Sequence, residues 1–415
     1  MRFLQVFSLS VALLSSFSFA QEKVKIEGTK EEQLKVIDPL SVYSLSATDR
    51  SLLMTALAKS GANRGELLKA IENAPSADQR EGIVFLISYM PERDLRDLSA
   101  KFLLENVKWA YKARAEFPWT KDVPKEIFLN DVLPYANLNE RRDNWRADFY
   151  KRFKNKVKGA KTLKEAIYLV NKDIEKEVKV KYSTKRKKPD QSPYESMDLG
   201  LASCSGLSII LSDAFRSVGI PARVAGTPSW TTVRGNHNWV EVYVDKQWKF
   251  TEFYPDKELN RSWFLERAAK ADEQDWQKKI YAASFTPTEY WFPMVWDYNI
   301  RYIHGVDVTK KYHQIYRDQN KKVTMDKMTQ AERAVLVYAN GKKVAVAFTV
   351  KDKEGKKVAS GKTKDALADL NNMLIFKLQK NSSYILEYKN LTGKRQSLGV
   401  QTTDGKELQK LEIRL

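Results

Sequence analysis

Three side chains in this sequence could carry out covalent chemistry together: Cys204, His237 and Glu252. An ionised thiol is a nucleophile, an imidazole can take up and return a proton, and a carboxylate can orient the imidazole. The chain contains one cysteine and three histidines, so few other combinations of this kind are available. The sequence therefore predicts a nucleophile, a general base and an orienting acid at these three positions.

Cys204 is predicted to lie in the first turn of a helix. The residues after it are apolar at three- and four-residue spacing, and the pattern ends at Gly219 with Pro221 just beyond. A helix N-terminus and a nearby imidazolium both favour a thiolate. Free backbone N–H groups there could also hold the oxyanion that forms when a carbonyl is attacked. The alternative interpretation is a buried cysteine that serves as a small apolar side chain.

The position of Glu252 relative to His237 depends on the register of a predicted hairpin. Two strands are predicted here, at His237–Val244 and Trp248–Phe253. If Asp245 and Lys246 form a two-residue turn, Glu252 lies diagonal to His237 on the same face, roughly 7–8 Å away at the backbone. A three-residue turn without a bulge would place Glu252 on the opposite face.

Other titratable residues are weaker candidates for the same roles. Asp256 is the alternative orienting acid, because it follows the same strand closely. Glu241 is interpreted as an ordinary strand residue. His304 lies beside a glycine near a predicted domain boundary, and His313 lies among lysines and is expected to be exposed. His237 is therefore the preferred imidazole.

Two segments resemble the transglutaminase-like superfamily. Cys204–Gly226 is similar to the nucleophile helix and the following strand of that family, and His237–Val244 with Trp248 is similar to its histidine strand and hairpin. The likeness covers about residues 160–265. It implies a papain-like α+β core and a Cys–His–Asp triad, carried here onto Cys204, His237 and Glu252. The glutamate at the third position departs from the family's usual aspartate, and the family's additional oxyanion donor is not identified.

The first residues predict export. Arg2 precedes an apolar run, and small residues before Ala20 match a signal peptidase site, so residues 1–20 are interpreted as a cleaved signal peptide. The run is too short for a membrane span, no other segment is long and apolar enough, and no lipid-anchoring cysteine follows. The predicted location is a bacterial periplasm or the medium. An unpaired cysteine in such a compartment is typically a reactive thiol or an intermolecular bridge.

Composition narrows the partners but not the substrate. The formal net charge of +19 favours anionic partners, among them a cell-surface polymer. Nucleic acid is disfavoured because the chain is predicted to be exported and carries no recognition motif. No cofactor is predicted, and no metal site either, because the few histidines are not clustered with acids at ligand spacing.

Four regions are predicted along the chain. They are a signal peptide (1–20), a helical region (21–118), a transglutaminase-like catalytic domain (119–305) and a small β-sandwich of immunoglobulin or transthyretin type (306–415). The last region carries short β-runs at Ala334–Ala339, Val344–Val350, Met373–Leu378 and Tyr384–Tyr388. Asn340-Gly341 is a strong hairpin signal. The fold class is therefore α+β, with helices before the core and a sandwich after it.

The leading functional prediction is an exported cysteine hydrolase that cleaves amide bonds of peptides or glycopeptides through a thioester. One alternative is a protein-glutamine acyltransferase that resolves the thioester with a lysine amine. Another is a catalytically silent protein that binds a surface polymer. The basic run at 185–188 could steer an acidic substrate, although a solvated loop is the commoner role of such a run. The natural substrate and the oligomeric state do not follow from the sequence.

Overall fold

The first part of the chain forms amphipathic helices that bury one face each. The computed structural model describes residues 45–255, 258–320, 330–404 and 408–415. The helices are α1 (Ala47–Lys59), α2 (Arg64–Glu72), α3 (Ala77–Tyr89), α4 (Glu92–Asp97), α5 (Ala100–Glu116) and α6 (Lys125–Asp131), with short 3₁₀ turns at Gly61–Asn63 and Pro118–Asp122. Serine side chains cap two of them, because Ser76 accepts from the Gln79 amide and Ser99 from the Phe102 amide.

The core combines helices with an antiparallel sheet. Its helices are α7 (Arg146–Val157), α8 (Leu163–Val178), α9 (Pro193–Leu199), α10 (Cys204–Ser217), α11 (Leu265–Ala268) and α12 (Thr309–Gln319). Its strands are β1 (Lys181–Tyr182), β2 (Leu201–Ala202), β3 (Ala222–Thr227), β4 (His237–Val244), β5 (Gln247–Thr251), β6 (Tyr281–Ser284), β7 (Tyr290–Trp291) and β8 (His304–Asp307). In the described residues the main sheet has the order β5-β4-β3-β6-β8-β7.

Helix α10 lies at the centre of this core. Every residue from Ser205 to Ser217 is buried, and the helix contacts β3 and β4 on one side and α7 and α8 on the other. The apolar spacing of its sequence explains the packing, since Leu207, Ile210, Leu211 and Ala214 join one buried cluster. A helix enclosed on all sides holds its first residue in a fixed place.

The C-terminal part forms two packed sheets. Its strands are β9 (Gln330–Ala339), β10 (Lys342–Lys343), β11 (Ala347–Lys351), β12 (Lys357–Lys362), β13 (Leu374–Gln379), β14 (Ser383–Lys389), β15 (Arg395–Gln401) and β16 (Gln409–Arg414). β10, β13 and β16 pair with β9, and the second sheet has the order β12-β11-β14-β15. Side chains of both sheets share one buried cluster, among them Val337, Phe348, Phe376 and Leu386. This part is therefore a β-sandwich.

The sandwich packs against the core. Glu266 on α11 forms an ion pair with Lys377 on β13, and Lys270 lies 3.7 Å from Glu332 on β9. The α+β class, the helical start and the C-terminal sheets are confirmed. The immunoglobulin or transthyretin type and the domain limits at 118 and 305 stay predictions, and β8 extends across the second limit.

Two predictions fall on residues outside the described ranges. These are the signal peptide at 1–20 and Asp256. Within the ranges that are described, we find no helix whose length and apolar character would suit a bilayer crossing.

Candidate active site

Cys204 is the first residue of α10, as the sequence predicts. Ser203 is the N-cap, and its hydroxyl accepts a hydrogen bond from the Gly206 amide at 3.0 Å while donating to the Pro189 carbonyl at 2.5 Å. The thiol itself is partly exposed, in contrast to the buried helix that follows it. The helix therefore presents the sulfur at a surface and keeps its backbone fixed.

His237 begins β4 and is buried, with 3% of its surface exposed. Its ring lies among aromatic side chains, with the ring centres of Trp263 and Phe264 at 4.9 and 5.2 Å and that of Trp239 at 5.7 Å. The Nε2 atom lies 3.3 Å from Oε2 of Glu252. The aromatic contacts and the carboxylate together fix the plane of the imidazole.

The predicted hairpin register is confirmed. Val244 pairs with Gln247, and Asp245 and Lys246 both have positive φ, at 55° and 59°. Two consecutive left-handed residues are the signature of a tight two-residue turn. Glu252 follows the last paired residue and thus reaches the face of the sheet that carries His237.

Glu252 is held by three other side chains. Ser262 donates its hydroxyl hydrogen to Oε1, and the indole Nε1 of Trp263 donates to Oε2 at 3.3 Å. The amide of Asn171 on α8 donates to the Glu252 backbone carbonyl at 3.1 Å. These contacts leave Oε2 directed at the imidazole, which suits an orienting role.

Asp369, in the sandwich, approaches the same imidazole from the other side. Its Oδ2 lies 3.6 Å from Nδ1 of His237. The Cys204 sulfur, a His237 ring nitrogen and an Asp369 carboxylate oxygen all lie within 4.8 Å of one another. The sequence analysis did not identify this residue. It stands in a polar stretch between two β-runs, where nothing in the pattern indicates which part of the chain the loop contacts.

Asp369 lies in the loop of residues 363–373, which we name the Asp369 loop. Hydrogen bonds hold this loop at several points. The Lys343 ammonium donates to the Asp369 carbonyl at 3.0 Å, and the Asn371 amide nitrogen donates to the Asp369 carboxylate at 2.8 Å. The side chain of Asn371 donates to the Asn236 carbonyl at 3.1 Å, and Arg267 donates to the Asn371 carbonyl at 2.5 Å. The loop is thus bonded to both the sandwich and the core.

The charges of His237 and Asp369 stabilise each other. Burial alone would lower the pKa of His237, yet that pKa lies well above its ordinary value, because the Asp369 charge and polar contacts with Asp369, Cys204 and Glu252 favour the imidazolium. Burial alone would raise the pKa of Asp369, but the His237 charge holds it below its usual value. Each group therefore favours the charged form of the other.

The other two histidines make separate contacts. His313 on α12 lies 3.1 Å from a Glu273 carboxylate oxygen and 3.0 Å from the Ala271 carbonyl, and it is partly buried rather than exposed. His304 is a strand residue of β8, where burial lowers its pKa. Glu241 is completely buried and ion-paired with Arg223 and Lys311, so it has a structural role in the sheet.

Sulfur, nitrogen and oxygen donors at Cys204, His237 and Asp369 are also the kinds of atom that bind transition metals. The sequence predicted no metal site, because its few histidines are not clustered with acids at ligand spacing. Two of these three residues, Cys204 and His237, are the predicted nucleophile and its base. A metal bound by them would occupy the thiol and block its attack.

Residues 151–253 match a family model described as the Transglutaminase-like superfamily. The match contains Cys204, His237 and Glu252, and it implies a cysteine-dependent enzyme of the protease or acyltransferase kind. The prediction of this family from the two sequence segments is confirmed. A search of curated proteins finds no match.

Three solved structures show distant similarity. A candidate cysteine protease from Cytophaga hutchinsonii is 14% identical over 33% of this chain and 45% of its own, with a TM-score of 0.26. The Bacillus anthracis TIE protein is 11% identical over 47% and 30%, with a TM-score of 0.17. Red sea bream transglutaminase is 10% identical over 58% and 53%, with a TM-score of 0.22. The chain thus spans about half or less of the length of each.

Proposed function

Because residues 151–253 form a transglutaminase-like core, we propose that this protein is an exported cysteine hydrolase that cleaves amide bonds of peptides or glycopeptides. One observation carries the proposal: a thiol at a helix start lies beside an imidazole whose far nitrogen is 3.3 Å from a carboxylate. This is the arrangement that nucleophilic acyl transfer requires. Export rests on the predicted signal peptide at residues 1–20.

The proposed reaction has two steps, the formation of a thioester and its hydrolysis. The Cys204 thiolate attacks the carbonyl carbon, the C–N bond breaks, and the His237 imidazolium gives its proton to the leaving amine. The product of this step is a thioester on Cys204. Water then gives a proton to the imidazole and attacks the thioester, which releases the acid and restores the thiolate and the imidazolium. Glu252 holds the ring in one orientation throughout.

The helix start supplies donors for the oxyanion. The first amides of a helix have no acceptor within the helix. The Gly206 amide already donates to the Ser203 hydroxyl. We therefore assign the oxyanion to the backbone amides of Cys204 and Ser205, which lie nearest the thiol. The oxyanion that forms when the thiolate attacks the carbonyl carbon would accept hydrogen bonds from these two amides.

Hydrolysis is favoured over cross-linking by the charge around the thiol. Asp369 lies beside the sulfur, and carboxylates raise the pKa of a bound amine. A lysine held there would remain an ammonium, which has no lone pair for attack on a thioester. Water carries no such penalty, so it is the preferred acceptor.

The test incubates the full chain with a library of peptides and glycopeptides and detects cleavage by mass spectrometry. Cys204→Ala is expected to abolish turnover, because no other cysteine can form the thioester. Cys204→Ser is the matched control, since it keeps the size of the side chain and replaces the sulfur by a weaker nucleophile. Retained turnover in Cys204→Ala would overturn the proposal.

A labelled primary amine added to the same reactions separates hydrolysis from cross-linking. We expect release of free acid with no incorporation of the amine. Incorporation of the label that exceeds hydrolysis would instead identify an acyltransferase.

A further inference from the structure

The Asp369 loop lines two cavities, and both of them reach Cys204. The first has a volume of about 620 Å³ and is lined by the imidazole; we name it the His237 cavity. The second has a volume of about 380 Å³ and is lined by Arg234; we name it the Arg234 cavity. Tyr182, Cys204 and Asp369 line both of them. A substrate that reaches the thiol therefore meets two different surfaces.

The His237 cavity is acidic. Its carboxylates are those of Glu175, Glu252, Asp365 and Asp369, and they outnumber the cationic groups of Lys364 and His237 that also line it. Aromatic rings of Tyr182, Phe253, Tyr254 and Trp263 form part of its walls. Carboxylates and aromatic faces together make this cavity suited to a cationic group.

The Arg234 cavity has the opposite character. Arg186, Arg234 and Lys410 line it, opposed by Asp369 and Glu412. Arg234 and Lys410 are exposed, so their charges face the space where a substrate would lie. Arg186 belongs to the basic run at 185–188, which gives that run a position at the cleft rather than on a remote loop.

We infer that the cleft is polarised across the thiol: it binds a peptide-like substrate with a cationic group in the His237 cavity and an anionic group in the Arg234 cavity. The susceptible amide then lies between them at Cys204. This inference rests on the proposed function and adds a substrate class to it.

The physical basis is charge selection at two partly enclosed surfaces. An ammonium in the His237 cavity meets carboxylates and aromatic faces, and both attract cations. A carboxylate in the Arg234 cavity meets guanidinium groups, which bind it in a planar pair of hydrogen bonds. In a chain whose net charge is +19, an acidic cavity beside the nucleophile is a local departure from the overall charge. A substrate with two like charges would be repelled at one of the two ends.

The experiment measures binding to full-length Cys204→Ala, so that turnover does not consume the ligand. Four synthetic peptides share an uncharged centre and differ at their ends, which carry two lysines or two glutamates in each combination. One of the two mixed peptides is expected to bind about threefold to tenfold more tightly than either uniform peptide in titration calorimetry. This preference should shrink as salt is raised. Equal binding of all four, or tightest binding of a uniform peptide, would overturn the inference.

Charge-neutral variants assign each end to its cavity. Asp365→Asn keeps the side-chain oxygen that accepts from the Leu367 amide at 2.9 Å, and it should weaken the preference for the lysine end. Arg234→Gln should weaken the preference for the glutamate end. Glu354→Gln and Lys356→Gln lie on an exposed hairpin of the sandwich and are the matched controls, expected to leave all four affinities unchanged. Identical effects of cavity and control variants would also overturn the inference.

The two proposals fail in different ways. If the charge preference is missing but Cys204-dependent cleavage of library peptides is present, only the polarised cleft is wrong. If polarised binding is present but no library peptide is cleaved, only the hydrolase is wrong.

Discussion

Two carboxylates contact the same imidazole from opposite sides, and they come from different parts of the chain. Glu252 belongs to the core hairpin and lies 3.3 Å from Nε2 of His237. Asp369 belongs to the sandwich and lies 3.6 Å from Nδ1, on the side of the thiol. The first can orient the ring without competing with the sulfur. The second lies beside the sulfur, so we expect it to act through its charge rather than by orienting the ring.

The contrast shows how a candidate catalytic pair can be built from neighbouring elements and modified by a residue far away along the chain. The core supplies the thiol, the ring and Glu252 within one sheet and one helix. The sandwich then places a single acidic side chain beside them through a loop that bonds to both parts. Substitutions at the two carboxylates should therefore differ in kind as well as in size.

The largest effect is expected at the ring on which both carboxylates act. His237→Gln should lower kcat/KM by about 10³-fold or more, because it removes the proton acceptor and donor of both steps. Steady-state kinetics on any peptide that the library identifies would measure this. His313→Gln is the control, since that histidine contacts Glu273 and the Ala271 carbonyl, and its kinetics should be unchanged. Equal losses in the two variants would point to a general folding defect.

Glu252→Gln should come next, with kcat lowered by about 10²- to 10³-fold and KM little changed. An amide in place of the carboxylate no longer stabilises the imidazolium and can favour the wrong tautomer of the ring. Comparison with Asp369→Asn under the same conditions sharpens the distinction between the carboxylates. A larger fall in kcat for Asp369→Asn would reverse the roles assigned here.

Asp369→Asn should change the pH profile more than the maximal rate. The Asp369 charge raises the pKa of His237, and the imidazolium is lost as pH rises through that pKa. Without the charge, the ring loses its proton at lower pH, so the alkaline limb of the pH profile of kcat should move to lower pH. The variant can keep the bond from the Asn371 amide through its remaining oxygen. An unchanged limb, or an upward shift, would contradict the electrostatic role.

The smallest effect concerns docking of the Asp369 loop. Gly235 has φ of +123°, and a Cβ there would lie 2.7 Å from the Asn371 side chain, whereas Gly355 has φ of +81° and nothing within 4 Å. Gly235→Ala should lower the free energy of unfolding by about 1–3 kcal/mol, and Gly355→Ala by about 1 kcal/mol from backbone strain alone. Denaturant titration of both variants measures the difference. Equal losses would show that the loop does not press against Gly235.

Most of the catalytic core could be predicted from the sequence because its determinants are local. The apolar spacing after Cys204 and the turn at Asp245-Lys246 depend on neighbouring residues, and both are confirmed. The hairpin at Asn340-Gly341 is confirmed for the same reason, with Ala339 paired to Lys342.

The remainder depends on tertiary contacts that leave no periodic signal. Strands β12 and β15 were not predicted, because most of their side chains are exposed or half-buried and the apolar alternation is weak. Asp369 was not predicted because it lies far from His237 along the chain. Only the packing of the sandwich brings these two residues together.

The most direct test of the central claim is the rate at which iodoacetamide alkylates Cys204 in the folded protein at neutral pH. The chain has one cysteine, so every modified molecule reports on this thiol. If the imidazole activates the sulfur, the wild-type protein should react about tenfold or more faster than His237→Gln, and faster than the same protein unfolded in denaturant. Equal rates in the wild type and His237→Gln would contradict an activated nucleophile at this site.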